Sequence, residues 1–537
     1  MKIKILLLFS FFCFSLTYIF AQETLEIRNG KLRAFLSSNG LFSDINEGAW
    51  LSLDQDGELI PLVLSSGLWL AGRNAQDEII LNATTFGPSE VSFLIDGFFQ
   101  VSAEDIYNHI ADFEDNGQID EPIDAIFAWP GRLNPFFSEY NDGLELPNDN
   151  TEYGGFWDVD GNGMYDPSMG DYPTLLVRGC DIPVIPTQMT WCAFSIEEEA
   201  TGNPLYDVRL NLFHFACEEE SSLNNSLFSQ YIIINRFEEE LTDVHWGLFT
   251  DFDLGCPSND YIGSFPERAV AYVYNGTNID EDCNQIPGFG EHPPIAGVDI
   301  IRGPLEIGQE QALSSIMAFN NGGIGNFPPA TTDPNTTDEF FNYLQGKWRD
   351  GSSLTAGGIG YGGTQEVNFA FPDIPGEMNG WSETQANNEP GDRRTIMSFG
   401  PFSGEIGAVN EFIASYSVYE GTASQVENIL AFRDQIDENQ AFFDGCFQPS
   451  DNCMQVLTDI ETPDWINSIQ IFPNPASNIL TIESDQVIQQ VRLYDMSGKE
   501  LLQTKTTTLS VNHLTAGLYY LGIKINGHQL YKKVVIH

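Results

Sequence analysis

The chain has 537 residues, and its 23 Lys and Arg residues against 77 Asp and Glu residues leave a formal net charge of -54 at pH 7. A protein that binds nucleic acid needs a basic surface to contact phosphates, so this charge excludes nucleic acid as a partner. Hydrophobic residues make up 42% of the chain and aromatic residues 12%, which is enough to form packed cores. We therefore expect roughly two to four folded, acidic domains rather than a disordered chain.

Residues 1–21 have the pattern of a signal peptide. Lys2 and Lys4 precede an almost wholly apolar run at 5–20, and the small residue Ala21 provides a cleavage point. An N-terminal membrane anchor is the alternative, but it would need about 20 apolar residues and no such cleavage point. The pattern predicts export, and no later window of the sequence is long and apolar enough to span a bilayer.

Residues 22–450 have a mainly β pattern. Alternating, β-branched and aromatic runs such as 208–215 and 228–237 predict consecutive strands. Because the chain also contains 49 Gly and 28 Pro, a long series of strands favours a β-sandwich-type body with long loops. One stretch, 423–443, has convincing helical periodicity, so we expect one late helix. The pattern leaves open whether the body is one unit or two subdomains that divide near residue 200.

Two acidic segments have the spacing of calcium-binding loops. In both, oxygen-bearing residues recur at alternate positions around a Gly at position six, an arrangement in which the chain wraps the ion. The residues of the first segment are Asp112, Glu114, Asn116, Gln118 and Asp120, and those of the second are Asp158, Asp160, Asn162, Met164 and Asp166. Met164 would contribute its backbone carbonyl at position seven.

Both segments depart from the pattern at position twelve, where calcium loops carry a bidentate Glu. Ile123 and Met169 occupy that position, although Asp171 is near enough to substitute in the second segment. Polar Asn-Gly turns are the alternative interpretation, because such strings also suit tight turns. The sequence predicts calcium as a cofactor, with the turn interpretation left open for both segments.

Export places the cysteines that follow the signal peptide in a compartment where disulfides persist. They are Cys180, Cys192, Cys217, Cys256, Cys283, Cys446 and Cys453. We favour a disulfide in the close pair Cys446–Cys453, and the further candidate pairs are Cys256–Cys283 and Cys180–Cys192. Because seven is odd, at least one cysteine should remain unpaired. Neither a C-x-x-C spacing nor a Cys-His cluster is present, so zinc is not expected.

Asp251 and Asp253 form a third acidic group, at the end of the predicted strand 244–250. On an extended chain both side chains would point to the same face, about 7 Å apart. Three interpretations remain: a cation site, a catalytic pair of the kind that hydrolyses glycosidic bonds, or a solvated loop that caps the strand. Other catalytic patterns are absent, since the sequence contains no G-x-S-x-G, H-E-x-x-H, phosphate-binding or dinucleotide-binding motif.

The acidic charge is concentrated before residue 460. Residues 461–537 contain six of the basic and six of the acidic residues, and two further lysines lie in the signal peptide. Residues 22–460 therefore carry 15 basic and 71 acidic residues, a net charge of -56. Residues 451–467 show no clear periodicity, and we interpret them as a linker between two regions of different composition.

Residues 468–537 contain short alternating apolar runs that are typical of a small antiparallel β-sandwich. Motifs follow in the order IQIFPNPA at 469–476, VRLYDMSGK at 491–499, LTAGLYYL at 514–521 and KKVVI at 532–536. This order resembles the type A C-terminal sorting domain of the Bacteroidota type IX secretion system. The resemblance implies an Ig-like β-sandwich, handling by the type IX machinery, and passage across the outer membrane followed by surface attachment or release.

The body also resembles known sequences, namely those of large uncharacterised secreted Bacteroidota proteins that bear the same sorting domain. The segments that carry this resemblance are 67–72, 128–130, 158–173, 247–253 and 400–402. The resemblance implies no activity.

Two hypotheses of different class follow. The favoured one is a non-enzymatic, calcium-stabilised β protein, displayed or released at the cell surface, that binds glycans, matrix or other surface components. The alternative is a secreted polysaccharide-degrading glycoside hydrolase that uses Asp251 and Asp253.

Overall fold

The computed structural model describes a set of ranges that covers most of the body and of the C-terminal region. These are residues 24–37, 49–84, 91–147, 153–180, 182–197, 203–217, 221–237, 239–322, 327–447, 469–484, 486–495, 500–515, 517–525 and 528–536. The predicted signal peptide at 1–21 and the predicted linker at 451–467 lie outside the described residues.

The body is built mainly from β-strands. In chain order they are Thr24–Asn29 (β1), Leu32–Ser37 (β2), Leu51–Gln55 (β3), Glu58–Arg73 (β4), Ile79–Asn82 (β5), Val91–Ser102 (β6), Phe156–Trp157 (β7), Tyr172–Pro173 (β8), Gln188–Glu197 (β9), Pro204–His214 (β10), Ser226–Asn235 (β11), Leu241–Phe252 (β12), Asp260–Phe265 (β13), Val270–Asn275 (β14), Ile295–Arg302 (β15), Leu305–Glu306 (β16), Gln309–Glu310 (β17), Ser315–Asn320 (β18), Arg393–Gly404 (β19) and Val409–Tyr419 (β20).

Two eight-stranded antiparallel sheets form the core of the body. The first has the order β1-β2-β3-β4-β12-β19-β18, with β5 paired to β4, and the second has the order β13-β14-β15-β20-β11-β10-β9-β6. Side chains of both sheets meet in one hydrophobic core. Trp50 and Tyr416 pack edge to face there with ring centroids 4.4 Å apart, and the Ser66 and Tyr416 hydroxyl oxygens lie 2.9 Å apart. The predicted β-sandwich-type body is confirmed.

The second sheet continues through the position where the sequence left a division open. Strands β9 and β10 lie on the two sides of residue 200 and pair antiparallel from Phe213–Met189 to Asp207–Ser195. Both sheets also combine strands from before and after this position. The described strands therefore form one two-sheet body rather than two subdomains that divide there.

The middle strands of the first sheet are buried on both faces. Strand β12 is covered from Val244 to its end, because a layer of chain between β18 and β19 packs on the side away from the second sheet. In that layer Phe340 packs edge to face on Trp69 at 4.9 Å, and Tyr343 stacks on Phe319 at 4.6 Å. A strand buried on both faces has a nearly continuous apolar run instead of an alternating one, which describes residues 246–249.

The structure has more helices than the one late helix that the sequence predicts. Within the described ranges they are Ala103–Asn116 (α1), Asp124–Phe127 (α2), Phe137–Tyr140 (α3), Thr337–Leu344 (α4), Glu383–Ala386 (α5) and Gln425–Asp444 (α6), and the same ranges contain 3₁₀ helices at Pro167–Met169, Ser222–Asn225, Pro257–Asn259, Pro266–Arg268 and Pro329–Thr331. The late helix is confirmed as α6, which begins at a capping box of Ser424 and Glu427. The expectation of a single helix is wrong because it overlooked capping signals, such as Ser102 with Asp105 before α1.

A second hydrophobic core lies on the outer face of the second sheet. It joins β6, β9 and β10 to α1, α2 and the segment that contains the Asp158 loop. Trp129 and Trp191 are fully buried in it. None of the described helices is both long and apolar enough to cross a membrane.

The disulfides differ from the favoured pairing. Cys180 is bonded to Cys446, so the predicted pairs Cys446–Cys453 and Cys180–Cys192 are wrong, whereas Cys256–Cys283 is confirmed. Cys192 is buried and free, and Cys217 is disulfide-bonded. The Cys180–Cys446 bond joins residues that are 266 positions apart, and sequence proximity gives no information about such a contact.

The C-terminal region is a separate small β-sandwich. Its strands are Gln470–Phe472 (β21), Ile479–Glu483 (β22), Ile488–Asp495 (β23), Glu500–Thr504 (β24), Thr508–Ser510 (β25), Gly517–Ile525 (β26) and His528–Ile536 (β27). They form a three-stranded sheet, β21-β22-β25, and a four-stranded sheet, β24-β23-β26-β27. Leu480, Val491 and Leu521 belong to its own hydrophobic core, as the alternating pattern predicts.

Candidate functional site

A short hairpin closes the Asp158 loop. Strands β7 and β8 pair with Trp157 opposite Tyr172. Asp158 directly follows β7 and Asp171 directly precedes β8, so the two residues lie at the ends of the loop that the hairpin closes. The carboxylates of Asp158, Asp160 and Asp171 each offer an oxygen within 4.8 Å of the other two. The hairpin therefore brings Asp171, which the sequence offers as a substitute for the Glu at position twelve, close to the loop.

The loop backbone wraps around the Asp158 carboxylate. Its Oδ1 accepts a hydrogen bond from the Gly161 amide at 2.7 Å, and its Oδ2 accepts one from the Gly163 amide at 2.7 Å. Gly161 and Gly163 have φ values of 69° and 79°, a left-handed conformation that glycine adopts at little cost. This is the local reason for the glycines of the segment.

Asp171 holds the other side of the loop. Its Oδ1 accepts from the Val159 amide and its Oδ2 from the Asp166 amide, both at 2.8 Å. Burial raises the pKa of Asp171 to about 8, against the effect of the Asp166 amide, and the neighbouring Asp158 raises it further. Burial also raises the pKa of Asp158. Three acidic groups that repel one another in a low dielectric environment are stabilised by a proton or by a cation.

Three residues of the predicted set do not place a side chain at this centre. The Asp166 carboxylate caps the 3₁₀ helix that follows, through the Ser168 amide at 3.0 Å and the Ser168 hydroxyl at 2.6 Å. The Asn162 side chain donates to Asp160 at 2.8 Å and accepts from the Met164 amide at 2.7 Å. The Met164 side chain is exposed, which fits a position that would contribute only a backbone carbonyl.

The first acidic segment is not a loop. Asp112, Glu114 and Asn116 lie in the last turns of α1, and Gly117 ends the helix with φ 78°. Glu114 is two residues from both Asp112 and Asn116, and residues two apart on a helix do not face each other, so Glu114 cannot converge with them as it would in a wrapped loop. The Asp112 carboxylate instead accepts from the Asp120 amide at 2.9 Å.

The remaining side chains of that segment complete the helix end. The Gln118 amide donates to the Asn116 side chain at 2.9 Å, and the Asn116 side chain donates to Asp120 at 2.8 Å. Among the described residues the segment contributes to no cluster of three acidic ligands. The prediction that this segment wraps as a loop is wrong for its first half, which lies in α1.

The structure gathers a second group of carboxylates, around Asp251 and Asp253. Asp251 is the second-last residue of β12, where it pairs with Arg394 on β19 and Ser65 on β4. Asp253 follows β12, and Asp392 precedes β19. These three residues each offer an oxygen within 4.8 Å of the other two. The sequence predicted two members of this group and missed Asp392, because only the antiparallel pairing of β12 with β19 brings it there.

Arg394 is the basic residue that contacts this group. Its Nε lies 3.0 Å from Asp251 Oδ2, a second nitrogen forms an ion pair with Asp333, and a third lies 3.9 Å from Asp392 Oδ1. Asp392 Oδ2 also accepts from the Asn321 side chain at 2.8 Å. These contacts leave Asp253 with no ion pair of 4.0 Å or less among the described residues.

The group lies inside the protein. Asp251 is 0% exposed, Asp253 8% and Asp392 7%. Burial raises the pKa of Asp251 to about 7, although Arg394 opposes the shift. Burial also raises the pKa of Asp253 and of Asp392, with Asp251 adding to the shift at Asp253. The solvated-loop interpretation of Asp251 and Asp253 is therefore wrong, and a polymer chain in solvent has no contact with the Asp251 carboxylate.

The C-terminal sandwich contacts the body beside the Asp158 loop. The Lys524 ammonium donates to the backbone carbonyl of Asp160 at 2.8 Å. Arg492 lies close to Gly163, since a Cβ at that glycine would be 2.8 Å from the guanidinium. Two cations of the neutral C-terminal region thus lie against the acidic loop of the body.

Comparison with known proteins identifies the C-terminal region. Residues 470–537 match the family described as Secretion system C-terminal sorting domain. No curated protein matches the chain. A solved structure of a polysaccharide lyase is similar over 73% of this chain and 44% of its own, at 12% identity and a TM-score of 0.17. The chain thus spans less than half of that lyase, and likeness at this score carries no argument.

Proposed function

We propose that the body of this chain is a calcium-stabilised β protein. The sorting domain at residues 470–537 makes the chain a type IX secretion cargo, which is exported to the outer surface or released. In this proposal the body acts without catalysis and binds glycans or other surface components outside the cell.

The convergence of Asp158, Asp160 and Asp171 carries the calcium part of the proposal. Calcium takes six to eight oxygen ligands at about 2.3–2.6 Å from carboxylates, carbonyls and water. An oxygen from each of these three carboxylates lies within 4.8 Å of the others, a spread that such bond lengths allow. Calcium would also offset the mutual repulsion that burial intensifies at Asp158 and Asp171.

The burial of Asp251 and Asp253 supports the non-catalytic part. A retaining or inverting glycosidase needs both carboxylates beside the bond that is cleaved. Here Asp251 is fully buried and paired with Arg394. Export to the cell exterior would place this body where it meets such surface components.

Calcium binding to the mature full-length chain tests the proposal. We expect calcium to raise the Tm of wild-type protein, because a ligand that binds only the native state stabilises it by about 2.7 kcal/mol at a hundred times its Kd. Asp158→Asn should abolish one bound calcium in titration calorimetry and reduce this rise. Asp112→Asn is the matched control, since it removes an acidic side chain from the end of α1 and should leave calcium binding unchanged.

A calcium response that is identical in wild-type protein and Asp158→Asn would overturn the calcium part. For the non-catalytic part, the purified protein is incubated with a panel of polysaccharides in calcium, and both binding and release of reducing ends are measured. Polysaccharide cleavage by the wild type that is abolished in Asp251→Asn would contradict the non-catalytic part. Binding of the protein to an insoluble polysaccharide without release of reducing ends would support it.

A further inference from the structure

Apart from Asp251 Oδ2, which is ion-paired with Arg394 at 3.0 Å, three buried carboxylate oxygens between β12 and β19 have no hydrogen-bond partner among the described residues. They are Asp251 Oδ1, Asp253 Oδ1 and Asp392 Oδ1. Each belongs to a side chain that is more than nine-tenths buried. Buried polar groups in native proteins are nearly always paired, because a group that has lost its water without gaining a partner destabilises the fold. Three such oxygens from residues that meet within 4.8 Å indicate a shared ligand.

The neighbouring basic residues do not supply the missing partner. Arg394 is divided among Asp251, Asp333 and Asp392, and its distance to Asp392 is 3.9 Å. The adjacent Arg393 pairs with the buried Glu383 at 3.0 Å and is neutralised there. Among the described residues, the Arg394 guanidinium is the one positive charge that forms ion pairs with this group, and it faces four carboxylates, those of Asp251, Asp253, Asp333 and Asp392. The cluster has an excess of negative charge that these contacts do not balance.

We propose that Asp251, Asp253 and Asp392 bind a divalent cation, Ca²⁺, at a second site that joins the end of β12 to the start of β19. The site does not depend on the Asp158 loop. Its ligands are the second-last residue of β12 and the residues directly after β12 and before β19, so the ion holds two distant parts of the chain together inside the body.

The chemistry of the ligands selects the ion. Carboxylate oxygens favour hard cations, and softer metals would require nitrogen or sulfur ligands. Magnesium retains several water molecules and prefers octahedral geometry, which suits a hydrated site better than side chains that are 0–8% exposed. Calcium accepts irregular sets of carboxylate oxygens, and these three carboxylates offer the oxygens that Arg394 and Asn321 do not contact.

Metal content of the full-length mature chain tests the site. Protein treated with chelator and then dialysed against calcium should contain two calcium ions per chain by mass spectrometry. Asp253→Asn and Asp392→Asn should each contain one, and Asp158→Asn should also contain one. This site would be overturned if the wild type contained one calcium ion per chain, Asp158→Asn contained none and Asp253→Asn still contained one. That result would leave the proposed function intact. The reverse pattern would support this site and contradict the proposed one.

The Tm of the variants in chelator and in calcium provides a second test of the site. In chelator, Asp253→Asn should raise the Tm, because it removes a buried charge near Asp251 and Asp392. In calcium the same variant should have a lower Tm than the wild type, because it lacks a ligand. Asp299→Asn is the matched control: Asp299 is 1% exposed and neither of its oxygens has a hydrogen-bond partner in the described part of the chain, but it belongs to neither described acidic cluster. It should raise the Tm equally with and without calcium.

An Asp253→Asn variant that behaves like Asp299→Asn in both conditions would overturn the site, since it would mean that the carboxyl groups carry protons instead of a metal. If Asp253→Asn does not fold, the same comparison with Asp392→Asn decides the outcome.

Discussion

At the scale of single residues, Asp171 both accepts hydrogen bonds that order the acidic loop and adds a buried acidic group to it. Its side chain is fully buried, and it orders the loop by accepting from the amides of Val159 and Asp166. Burial nevertheless raises the pKa of Asp171 to about 8, and Asp158 adds to this shift. Such a shift favours a proton or a cation at this carboxyl group at neutral pH.

This shift predicts a pH dependence of the calcium-free protein. A carboxyl group with a raised native pKa binds its proton more tightly in the folded state, so its contribution to stability is lost as the pH rises towards the native value. Between pH 6.5 and 8 we expect the free energy of unfolding in chelator to fall more for the wild type than for Asp171→Asn, by about 2 kcal/mol. Urea unfolding at both pH values measures this difference.

This pH range was chosen because it lies at and above the ordinary histidine pKa of 6.5. Burial lowers the pKa values of His109 and His214, so below pH 6.5 these two residues make the free energy of unfolding rise with pH, which is the opposite effect. Calcium should remove the difference, because the ion replaces the proton at ionised ligands. Equal slopes for the two proteins in chelator would contradict the role of Asp171.

At the scale of elements, Tyr165 anchors the acidic loop to the second core. Its ring packs against Phe156 at 5.2 Å, its hydroxyl donates to the Ile126 carbonyl at 2.7 Å, and its amide donates to the Arg132 carbonyl at 2.8 Å. The Tyr165 side chain is fully buried. Because Tyr165 precedes Asp166, the packing of this ring determines where the second half of the loop lies.

Gly131 makes this packing possible. A Cβ at Gly131 would lie 2.4 Å from the Tyr165 ring, so Gly131→Ala must displace the ring or the loop. We expect the variant to be less stable by about 1–3 kcal/mol, as overpacked sites are, and to bind calcium more weakly. Calorimetric titration and thermal unfolding measure the two effects. Gly445→Ala is the matched control, because its φ is -79° and its nearest contacts are at 3.4 Å and beyond. Unchanged calcium affinity in Gly131→Ala would contradict the anchoring role.

At the scale of the whole molecule, the chain divides into an acidic body and a neutral sorting domain. The body carries a net charge of -56 and the C-terminal residues 461–537 are neutral. Two calcium ions would offset four of these negative charges and would convert several carboxylates from surface charges into ligands. Lys524 extends from the sorting domain to Asp160, so removal of the domain would expose that edge of the loop.

Removal of the sorting domain predicts loss of export. A chain that lacks residues 462–537 should accumulate in the periplasm, because the domain at 470–537 is what the type IX machinery handles. Immunoblots of periplasm, cell surface and medium measure the distribution. Restoring residues 470–537 to the truncated chain should restore surface or extracellular protein. Undiminished secretion of the truncated chain would contradict this role.

Local patterns predicted much of this architecture. Residues 208–215 and 228–237 lie largely within β10 and β11, and 423–443 closely matches α6. Alternation and helical periodicity are properties of adjacent residues, so they are visible without knowledge of the fold. The small helices α2, α3 and α5 have four residues each, and their packing in the tertiary structure is what stabilises them.

The sorting-domain motifs, the β character of the body and the spacing of Asp158, Asp160 and Asp171 were determined by the sequence itself, because each depends on neighbouring residues. The tertiary structure decided that Asp112 and Glu114 lie on a helix, where the same spacing separates side chains instead of gathering them. It also decided the environment of Asp251. Antiparallel pairing of β12 with β19 brings Asp392 and Arg394 to it, and the layer over the first sheet removes it from water. Burial is a property of the whole fold, and it changes a pair of acidic residues from a surface feature into a candidate metal centre.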